Sequence, residues 1–270
     1  MKKDIESFVK YPKIPYIDET LDVFGHEGYI FEKIDGSLTQ VRKINGDLVG
    51  GTKANYLDRK RAIKSPWMSD FLKWMYSNYS LHNLPENMIM YGEWLEPITV
   101  EYFPENLRKF YFIDLGFVEG KKPVFYDYEE ARGYLDNWGI KDVVALDPIE
   151  KGFFDYNSVI NNLENYRGKL GLEIEGIVLK NYNLQLFAKS LNKKYSEIRR
   201  QAQTLEGKYI NRPRINKSIK RLKDLGKEPL INDIIRDIIK DIKEESDISF
   251  DPIAIRSLIK LHSYVRDTGK

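Results

Sequence analysis

Cysteine is absent from this sequence of 270 residues, and histidine occurs only three times. The lack of cysteine excludes disulfide scaffolds, cysteine-zinc sites and thiol nucleophiles, and it is compatible with a reducing compartment. No stretch approaches the roughly 18 apolar residues of a membrane span, and the first residues lack the apolar core of a signal peptide. We therefore expect a soluble, cytoplasmic protein that does not bind membranes, and we predict no protein partner.

Positive charge is concentrated in one part of the chain. Residues 189–227 contain 13 Lys/Arg and 3 Asp/Glu, whereas the remainder contains 30 basic and 38 acidic residues. A mostly acidic body with one strongly basic segment is typical of a protein that binds a polyanion along that segment. A solvated helical face rich in lysine is the alternative. The basic residues at the centre of this stretch are Arg199, Arg200, Lys208, Arg212, Arg214, Lys217, Lys220 and Arg221.

The first 195 residues have the patterns of strands interspersed with helices. Asn45-Gly46 lies between two β-branched or alternating runs, which is the strongest short signal for a hairpin. Ser65-Pro66 precedes an amphipathic helical pattern, and a second helix is expected from Tyr128 to Trp138. Short apolar runs bounded by polar turns predict further strands, in the segments MIMYGEWL, KFYFIDLGFV, IEGIVLKN and LQLFAKSL.

The pattern changes after Tyr195. Four helical segments follow, and in the third of them isoleucines recur at helical spacing from Ile231 to Ile242. Asp251-Pro252 predicts the start of the fourth helix. The sequence therefore predicts an α+β domain over residues 1–195 and a small all-α domain over residues 196–270.

Chemistry-bearing residues lie at the ends or in the middle of several predicted strands. Lys33 is followed by Ile34-Asp35-Gly36, and a lysine is a nucleophile only as the free amine. Glu93 and Glu175 lie in or beside apolar strands, where a carboxylate is costly unless it meets a cation, a hydroxyl or a metal. Taken singly, each has a structural alternative: a hairpin lysine or an ion pair. Lys180 and Lys189 follow Glu175 on the last two predicted strands.

As an ordered set these segments resemble the motifs of the covalent nucleotidyltransferases, the superfamily of DNA ligases, RNA ligases and capping enzymes. Glu32, just before the lysine, and Ser37-Leu38, just after the glycine, look most like the RNA ligase branch. The resemblance implies a nucleotidyltransferase (ATP-grasp-like ligase adenylation) domain with antiparallel sheets and flanking helices. The segments that resemble motifs I, III, IIIa, IV and V are Lys33-Ile34-Asp35-Gly36, Tyr91-Gly92-Glu93-Trp94, Phe110-Tyr111-Phe112-Ile113-Asp114, Glu175-Gly176-Ile177-Val178 and Lys189.

The resemblance implies an ATP-dependent RNA ligase. Lys33 would attack the α-phosphate of ATP, expel pyrophosphate and carry AMP as a phosphoramide. The AMP would then pass to an RNA 5′-phosphate, and an RNA 3′-hydroxyl would displace it. The implied cofactors are ATP and Mg²⁺, or Mn²⁺ in its place, and the implied partner is RNA with 5′-phosphate and 3′-hydroxyl ends.

The same resemblance implies roles for the other motif residues. Glu32 would accept from the adenine 6-amino group, which favours ATP over GTP, and Glu93 would bind the ribose. Glu175 would hold the metal ion, with Asp35 as a further candidate, and Lys189 would contact the α-phosphate. The remaining nucleotide-binding candidates are Ile34, Gly36, Lys53, Phe112 and Lys180. Lys180 and Lys53 would contact phosphate, although Lys53 also fits an exposed hairpin lysine.

The sequence departs from the family pattern in two places. In motif V a second lysine usually lies one residue away, but Phe187 or Leu191 occupies that position here, and Lys193 or Lys194 would have to replace it. In motif IIIa an aromatic residue usually precedes the aspartate and stacks on the base. Here Ile113 precedes Asp114, so Phe112 or Tyr111 would take that role.

Three alternatives to an RNA ligase remain. A capping guanylyltransferase or a DNA ligase would share the motifs, but those enzymes continue into a β-rich domain, whereas helices follow motif V in this chain. A non-catalytic relative that binds RNA ends would explain the incomplete motif V. The helical tail and basic stretch favour an RNA ligase whose C-terminal domain grips RNA phosphates.

Overall fold

The computed structural model describes residues 8–53, 55–57, 66–96, 98, 100–120, 122–196, 210 and 212–245. The chain divides into two compact units, Met1–Asn192 and Lys193–Lys270. The first and fourth helices expected after Tyr195 lie largely or wholly outside the described residues, as do the side chains of Arg199, Arg200, Lys208 and Arg212.

The first unit is built mainly of strands. Its strands are β1 (Glu27–Glu32), β2 (Ser37–Ile44), β3 (Asp47–Thr52), β4 (Met88–Trp94), β5 (Phe110–Glu119), β6 (Lys122–Phe125), β7 (Val144–Ala145), β8 (Glu150–Phe153), β9 (Gly176–Asn181) and β10 (Leu186–Leu191). Its helices are α1 (Pro66–Ser77), α2 (Tyr128–Asn137) and α3 (Tyr156–Asn162). Short 3₁₀ turns lie at Ile17–Glu19, Leu21–Val23, Tyr79–Asn83, Pro104–Asn106 and Leu163–Asn165.

The strands form two sheets, which are antiparallel apart from one short strand. One sheet has four strands in the order β10-β9-β1-β8. The other has six strands, in the order β3-β2-β4-β5-β6 with β7 pairing parallel to β5. This mixed arrangement of antiparallel sheets and few helices confirms the predicted α+β class.

The hairpin predicted at Asn45-Gly46 joins β2 to β3. Ile44 pairs with Asp47, and both turn residues have positive φ, 52° at Asn45 and 83° at Gly46. Positive φ at both central residues is the requirement of the two-residue turn that matches the twist of a hairpin.

Helix α1 covers the outer face of the six-stranded sheet. Its buried side chains, Phe71, Leu72 and Met75, approach Gly50 of β3, where a Cβ would lie 2.9 to 3.1 Å from their atoms. The missing side chain at Gly50 therefore lets the helix pack directly on the strand. Trp74 of α1 stacks on Phe110 of β5 at 4.7 Å between ring centroids.

A separate apolar cluster lies on one face of the four-stranded sheet. Ile30, Leu179 and Ala188 pair across β1, β9 and β10, and all three side chains are buried there with Val159 of α3. Because side chains alternate along a strand, the neighbouring residues on the same strands face the opposite side of the sheet. Those neighbours are Phe31, Val178 and Lys189.

The second unit contains two described helices, α4 (Arg212–Asp224) and α5 (Ile231–Glu245). The isoleucine stripe predicted on the second of these is buried against the first: Ile234, Ile235, Ile238 and Ile242 pack with Ile215 and Leu222. Within the part of the chain that the structure describes, no helix combines the length and apolarity needed to cross a membrane.

Candidate active site

Lys33 lies immediately after β1 and contacts the carboxylate that the sequence placed before β9. The backbone N–H of Lys33 donates to the Gly176 carbonyl at 2.9 Å, so the pairing of β1 with β9 extends to the lysine. Its Nζ then donates to Oε2 of Glu175, 142 residues further along the chain. The Lys33 side chain is 17% exposed and the Glu175 side chain 3%. Two predicted site residues are therefore in direct contact, with the amine at the edge of solvent.

Glycines let the backbone close in around this pair. A Cβ at Gly36 would collide with the Trp94 carbonyl and lie 3.0 Å from Cγ of Glu93, so the turn after Lys33 runs against β4. A Cβ at Gly176 would collide with the Ser190 carbonyl of β10. The glycines of the Lys-x-Asp-Gly and Glu-Gly sequences are thus required by close contacts between neighbouring strands.

Glu93 of β4 is partly buried beside the same lysine. Burial raises the pKa of Glu93 to about 8, and the positive charge of Lys33 acts in the opposite direction. The nearby carboxylates of Asp35 and Glu175 raise the pKa further, whereas a hydrogen bond from the Gly36 backbone lowers it. Glu93 therefore carries a proton for much of the time near neutral pH.

Asp35 and Ile34 form the turn between Lys33 and Gly36. Oδ2 of Asp35 accepts from the Val100 N–H at 2.9 Å, and the Asp35 N–H donates to the Tyr102 hydroxyl at 2.8 Å. These bonds hold the turn against the loop that follows β4. Ile34 is partly buried within the turn.

Glu32 is buried, and only one of its carboxylate oxygens is bonded within the described chain. Oε2 accepts from the Lys169 N–H at 2.9 Å, whereas Oε1 has no hydrogen-bond partner among the described residues. Burial raises the pKa of Glu32, and the bond from Lys169 lowers it. A buried oxygen without a partner is costly, so this atom is suited to accept a hydrogen bond from a ligand.

An irregularity in the sheet decides which aromatic side chain lies on the site's side. Tyr91 pairs with Asp114, but the next residue, Gly92, pairs with Phe112, so β5 has one extra residue at Ile113. Phe112 therefore lies on the face opposite to Glu93 and is buried in the core. Tyr111 pairs with Glu93 and shares its face, and its hydroxyl donates to the Asn106 carbonyl at 3.0 Å.

Of the two aromatic candidates that the sequence offered for the base, the structure places Tyr111, and not Phe112, on the face that carries Glu93. Burial raises the pKa of its hydroxyl to about 12, with a contribution from the charge of Glu32. Tyr111 and Glu32 are thus close enough to interact. The aromatic run in KFYFIDLGFV left the choice between Tyr111 and Phe112 open, because the register of this strand depends on the bulge.

The contacts described for the other candidate lysines are with other groups. Lys180 is buried, and its ammonium is bonded to Asp114 of β5. Lys189 of β10 is partly buried, with Nζ 4.9 Å from the centroid of the Tyr16 ring. Lys53 lies just past β3 and is exposed. Their predicted contacts with phosphate stay predictions, and Lys180 would have to leave Asp114 to make one.

The two antiparallel sheets with flanking helices are those of the nucleotidyltransferase fold. A family model described as RNA ligase matches residues 27–195, more than half of the chain and all of the motif residues. The chain belongs to the RNA ligase family. A comparison with curated proteins finds no match to the sequence.

Solved structures of an RNA ligase from Naegleria gruberi share the fold. A lysine-to-alanine mutant with ATP and Mn aligns at 15% identity with a TM-score of 0.57. An arginine-to-alanine mutant with ATP and Mn aligns at 17% with a TM-score of 0.56. A lysine-to-methionine mutant with AMP and Mn aligns at 16% with a TM-score of 0.55. Each alignment covers 72% of this chain and 59% of that chain. This chain therefore matches less than two thirds of those proteins.

Proposed function

We propose that this chain is an ATP-dependent RNA ligase that joins RNA 5′-phosphate and 3′-hydroxyl ends through a lysyl-AMP intermediate. The observation that carries the proposal is the contact between Lys33 and Glu175, at the edge of solvent and beside Glu93. A nucleophilic lysine must be held in place for in-line attack, and a fixed carboxylate oxygen does this by accepting one of its protons in a hydrogen bond.

In the first step Lys33 Nζ, as the free amine, attacks the α-phosphorus of ATP. The P–N bond forms as the bond to the bridging oxygen breaks, and pyrophosphate leaves with that oxygen. In the second step an oxygen of the RNA 5′-phosphate attacks the same phosphorus, and the lysine leaves. In the third step the RNA 3′-hydroxyl attacks the 5′-phosphate, AMP leaves, and a phosphodiester bond remains.

Different side chains around the nucleophile would bind the base, the ribose and the phosphates of ATP. Oε1 of Glu32 would accept from the adenine 6-amino group, and Tyr111 is better placed than Phe112 to lie against the base. Glu93 would bind the ribose, and a protonated carboxyl there could donate as well as accept. The backbone at Ile34 and Gly36 would pass beside the nucleotide. We propose that Lys189 and Lys53 contact phosphate, and that Lys180 does so only on leaving Asp114.

The carboxylates of the site are suited to bind a divalent ion together with the phosphates of the nucleotide. Among the described residues no group of three or more His, Asp or Glu could hold a metal by itself. Mg²⁺ is usually bound by one or two carboxylates together with substrate phosphates, and Glu175 is the best placed of those present, with Asp35 as the second candidate. When bound there, Mg²⁺ or Mn²⁺ would neutralise the charge that develops on the phosphates.

We also propose that the second unit contacts RNA through α4. The apolar side of this helix is covered by α5, and Arg221 forms an ion pair with Asp237 of α5 at 3.5 Å. Lys217, Lys220 and Lys223 are exposed on the rest of the helix surface. Exposed cations spaced along one helix suit the phosphates of a nucleic-acid backbone, which are bound without reading the sequence.

Covalent labelling tests the proposal directly. The protein is incubated with α-labelled ATP and Mg²⁺, and the same reaction is run with Lys33→Ala and with Lys122→Ala, an exposed lysine of β6. We expect labelling of the wild type and of Lys122→Ala and none of Lys33→Ala. Preferred labelling by GTP would point to a capping guanylyltransferase. Transfer of the label only to nicked DNA would point to a DNA ligase. Binding of RNA without any covalent labelling would point to a non-catalytic relative.

A further inference from the structure

The segment that precedes β1 lies along the edge of the four-stranded sheet. β10 is the edge strand of that sheet, and the Pro15 carbonyl accepts from the N–H of Lys189 at 2.9 Å. Tyr16 and Lys189 form a parallel bridge at the same point. The chain before β1 is therefore bonded to the sheet at Lys189, the residue to which the family resemblance gives the α-phosphate.

The Tyr16 side chain lies against the Lys189 ammonium. Nζ of Lys189 is 4.9 Å from the centroid of the Tyr16 ring, within the range of a cation–π contact. An aromatic face attracts a cation without carrying a formal charge, so it holds the ammonium in place without neutralising it as a carboxylate would. Tyr16 is 37% exposed, so it lies at the surface of the protein.

Tyr16 is itself held in place by its neighbours. Its N–H donates to Oε2 of Glu19 at 3.0 Å, which closes the 3₁₀ turn that follows. The next residue, Ile17, is buried in the apolar cluster on the opposite face of the sheet. The backbone that carries the ring is thus held by the bridge to β10 and by the buried side chain of Ile17.

The register of the sheet places Lys189 on the face that carries the nucleophile. Lys189 pairs with Val178, and Val178 pairs with Phe31 of β1. Lys33 follows Phe31 by two residues, so its side chain returns to the same face. The Lys189 ammonium and the Lys33 amine therefore project from one side of the sheet, two strands apart.

We propose that Tyr16 is a positioning residue for Lys189: its ring holds the ammonium on the face where the α-phosphate of ATP would bind. The inference rests on the proposed function of Lys189 in lysyl-AMP formation. It assigns part of the catalytic arrangement to a segment outside the matched family region, which begins at residue 27.

The first test compares two substitutions that differ in the ring. Tyr16→Phe keeps the aromatic face, and Tyr16→Leu removes it; Tyr79→Leu, at a tyrosine that is 82% exposed, is the matched control. We expect Tyr16→Leu to slow single-turnover lysyl-AMP formation roughly three- to ten-fold, and Tyr16→Phe to retain most of the rate. A rate for Tyr16→Leu equal to that of the control would overturn the proposal, as would equal losses for Leu and Phe.

A double substitution separates positioning from general damage. In a Lys189→Ala background the ring has no ammonium to hold, so adding Tyr16→Leu should cost no further rate. A full additional loss there would show that Tyr16 acts by supporting the fold, and it would contradict the proposal.

The second test needs no nucleotide. The Lys189 amine is acylated with a small reagent in the free protein, and its extent of reaction is followed by mass spectrometry. We expect faster acylation of Lys189 in Tyr16→Leu than in the wild type or Tyr16→Phe, and unchanged acylation of Lys122 in all three. Equal rates at Lys189 would overturn the positioning role. If the wild type were not labelled by ATP, the proposed function would be overturned instead. The acylation rates of Lys189 would still show whether the Tyr16 ring holds its ammonium.

Discussion

The ammonium of Lys180 lies 2.8 Å from both carboxylate oxygens of Asp114, and the two side chains are 3% and 0% exposed. Hydroxyls of Tyr11 and Tyr182 donate to the same carboxylate at 2.5 and 2.7 Å. The pair joins β9 of one sheet to β5 of the other, and Tyr11 adds the segment before β1. Both carboxylate oxygens of Asp114 thus accept two hydrogen bonds each. A buried ion pair satisfied in this way fixes the position of one sheet against the other.

Removing one partner of this pair should destabilise the first unit strongly. We expect Asp114→Asn or Lys180→Met to lower the free energy of unfolding by about 3–5 kcal/mol, because each leaves a buried charge or its partners unsatisfied. Urea denaturation measures the change. Asp70→Asn breaks the exposed pair with Lys73, whose side chain is 74% exposed, and should cost about 0.5 kcal/mol or less. Equal losses at Asp114 and Asp70 would contradict a structural role for the buried pair.

The parts of the fold that follow from local pattern could be predicted from the sequence. Asn45-Gly46 predicted its hairpin because the turn requires positive φ at both residues, and the isoleucines of α5 predicted its buried stripe. The approach of Lys33 to Glu175 could be expected only through the resemblance to a family, since 142 residues separate them.

The parts that depend on register or on long-range pairing could not be predicted. One extra residue at Ile113 reverses the faces of Tyr111 and Phe112, and an apolar run contains no sign of where such a bulge falls. In the same way, nothing near Lys180 in the sequence indicates that Asp114 will be its partner. The contact of Tyr16 with Lys189 also joins segments that share no local pattern.

Glu93 should make the stability of the protein depend on pH. Its pKa in the folded chain is raised to about 8 from an ordinary value of 4.5, so the folded state binds the proton more tightly than the unfolded state. This contribution to stability is complete below about pH 4.5 and is lost as the pH rises through about 8. Between about pH 6 and 9, we expect the wild type to lose on the order of 2 kcal/mol relative to Glu93→Gln. Parallel curves from urea denaturation of both proteins would rule this out.

Glu32 should select the base of the nucleotide, with Gly168 leaving room for it. A Cβ at Gly168 would lie 2.6 Å from Oε1 of Glu32 and 2.5 Å from Cγ2 of Ile174. We expect the wild type to use ATP at least about ten-fold better than an analogue without the 6-amino group, as one hydrogen bond to a charged group allows. Glu32→Ala should abolish this preference, and Gly168→Ala should weaken it.

The comparison is made as kcat/KM for lysyl-AMP formation with the two nucleotides. Gly133→Ala is the matched control, because a Cβ at Gly133 of α2 would meet nothing within 4 Å. If the wild type used the analogue as well as ATP, Glu32 would have no part in reading the base. If Gly168→Ala behaved like the control, the loop beside Glu32 would tolerate a side chain and would not set its position.

The exposed lysines of α4 should determine how RNA binding responds to salt. Each lysine that neutralises a phosphate releases counterions, so substituting Lys217, Lys220 and Lys223 together by alanine should reduce the slope of log affinity against log salt by up to about 2. Substituting Lys13, Lys122 and Lys141, which are exposed on the first unit, gives a triple variant of equal charge. Equal slopes for the two triple variants would show that net charge, and not this helix, accounts for RNA binding.

Labelling by ATP should persist in the α4 variant, because Lys33 and its carboxylates belong to the first unit. If the α4 variant lost ATP labelling to the same extent as it lost RNA affinity, α4 would contribute to lysyl-AMP formation and not only to RNA binding.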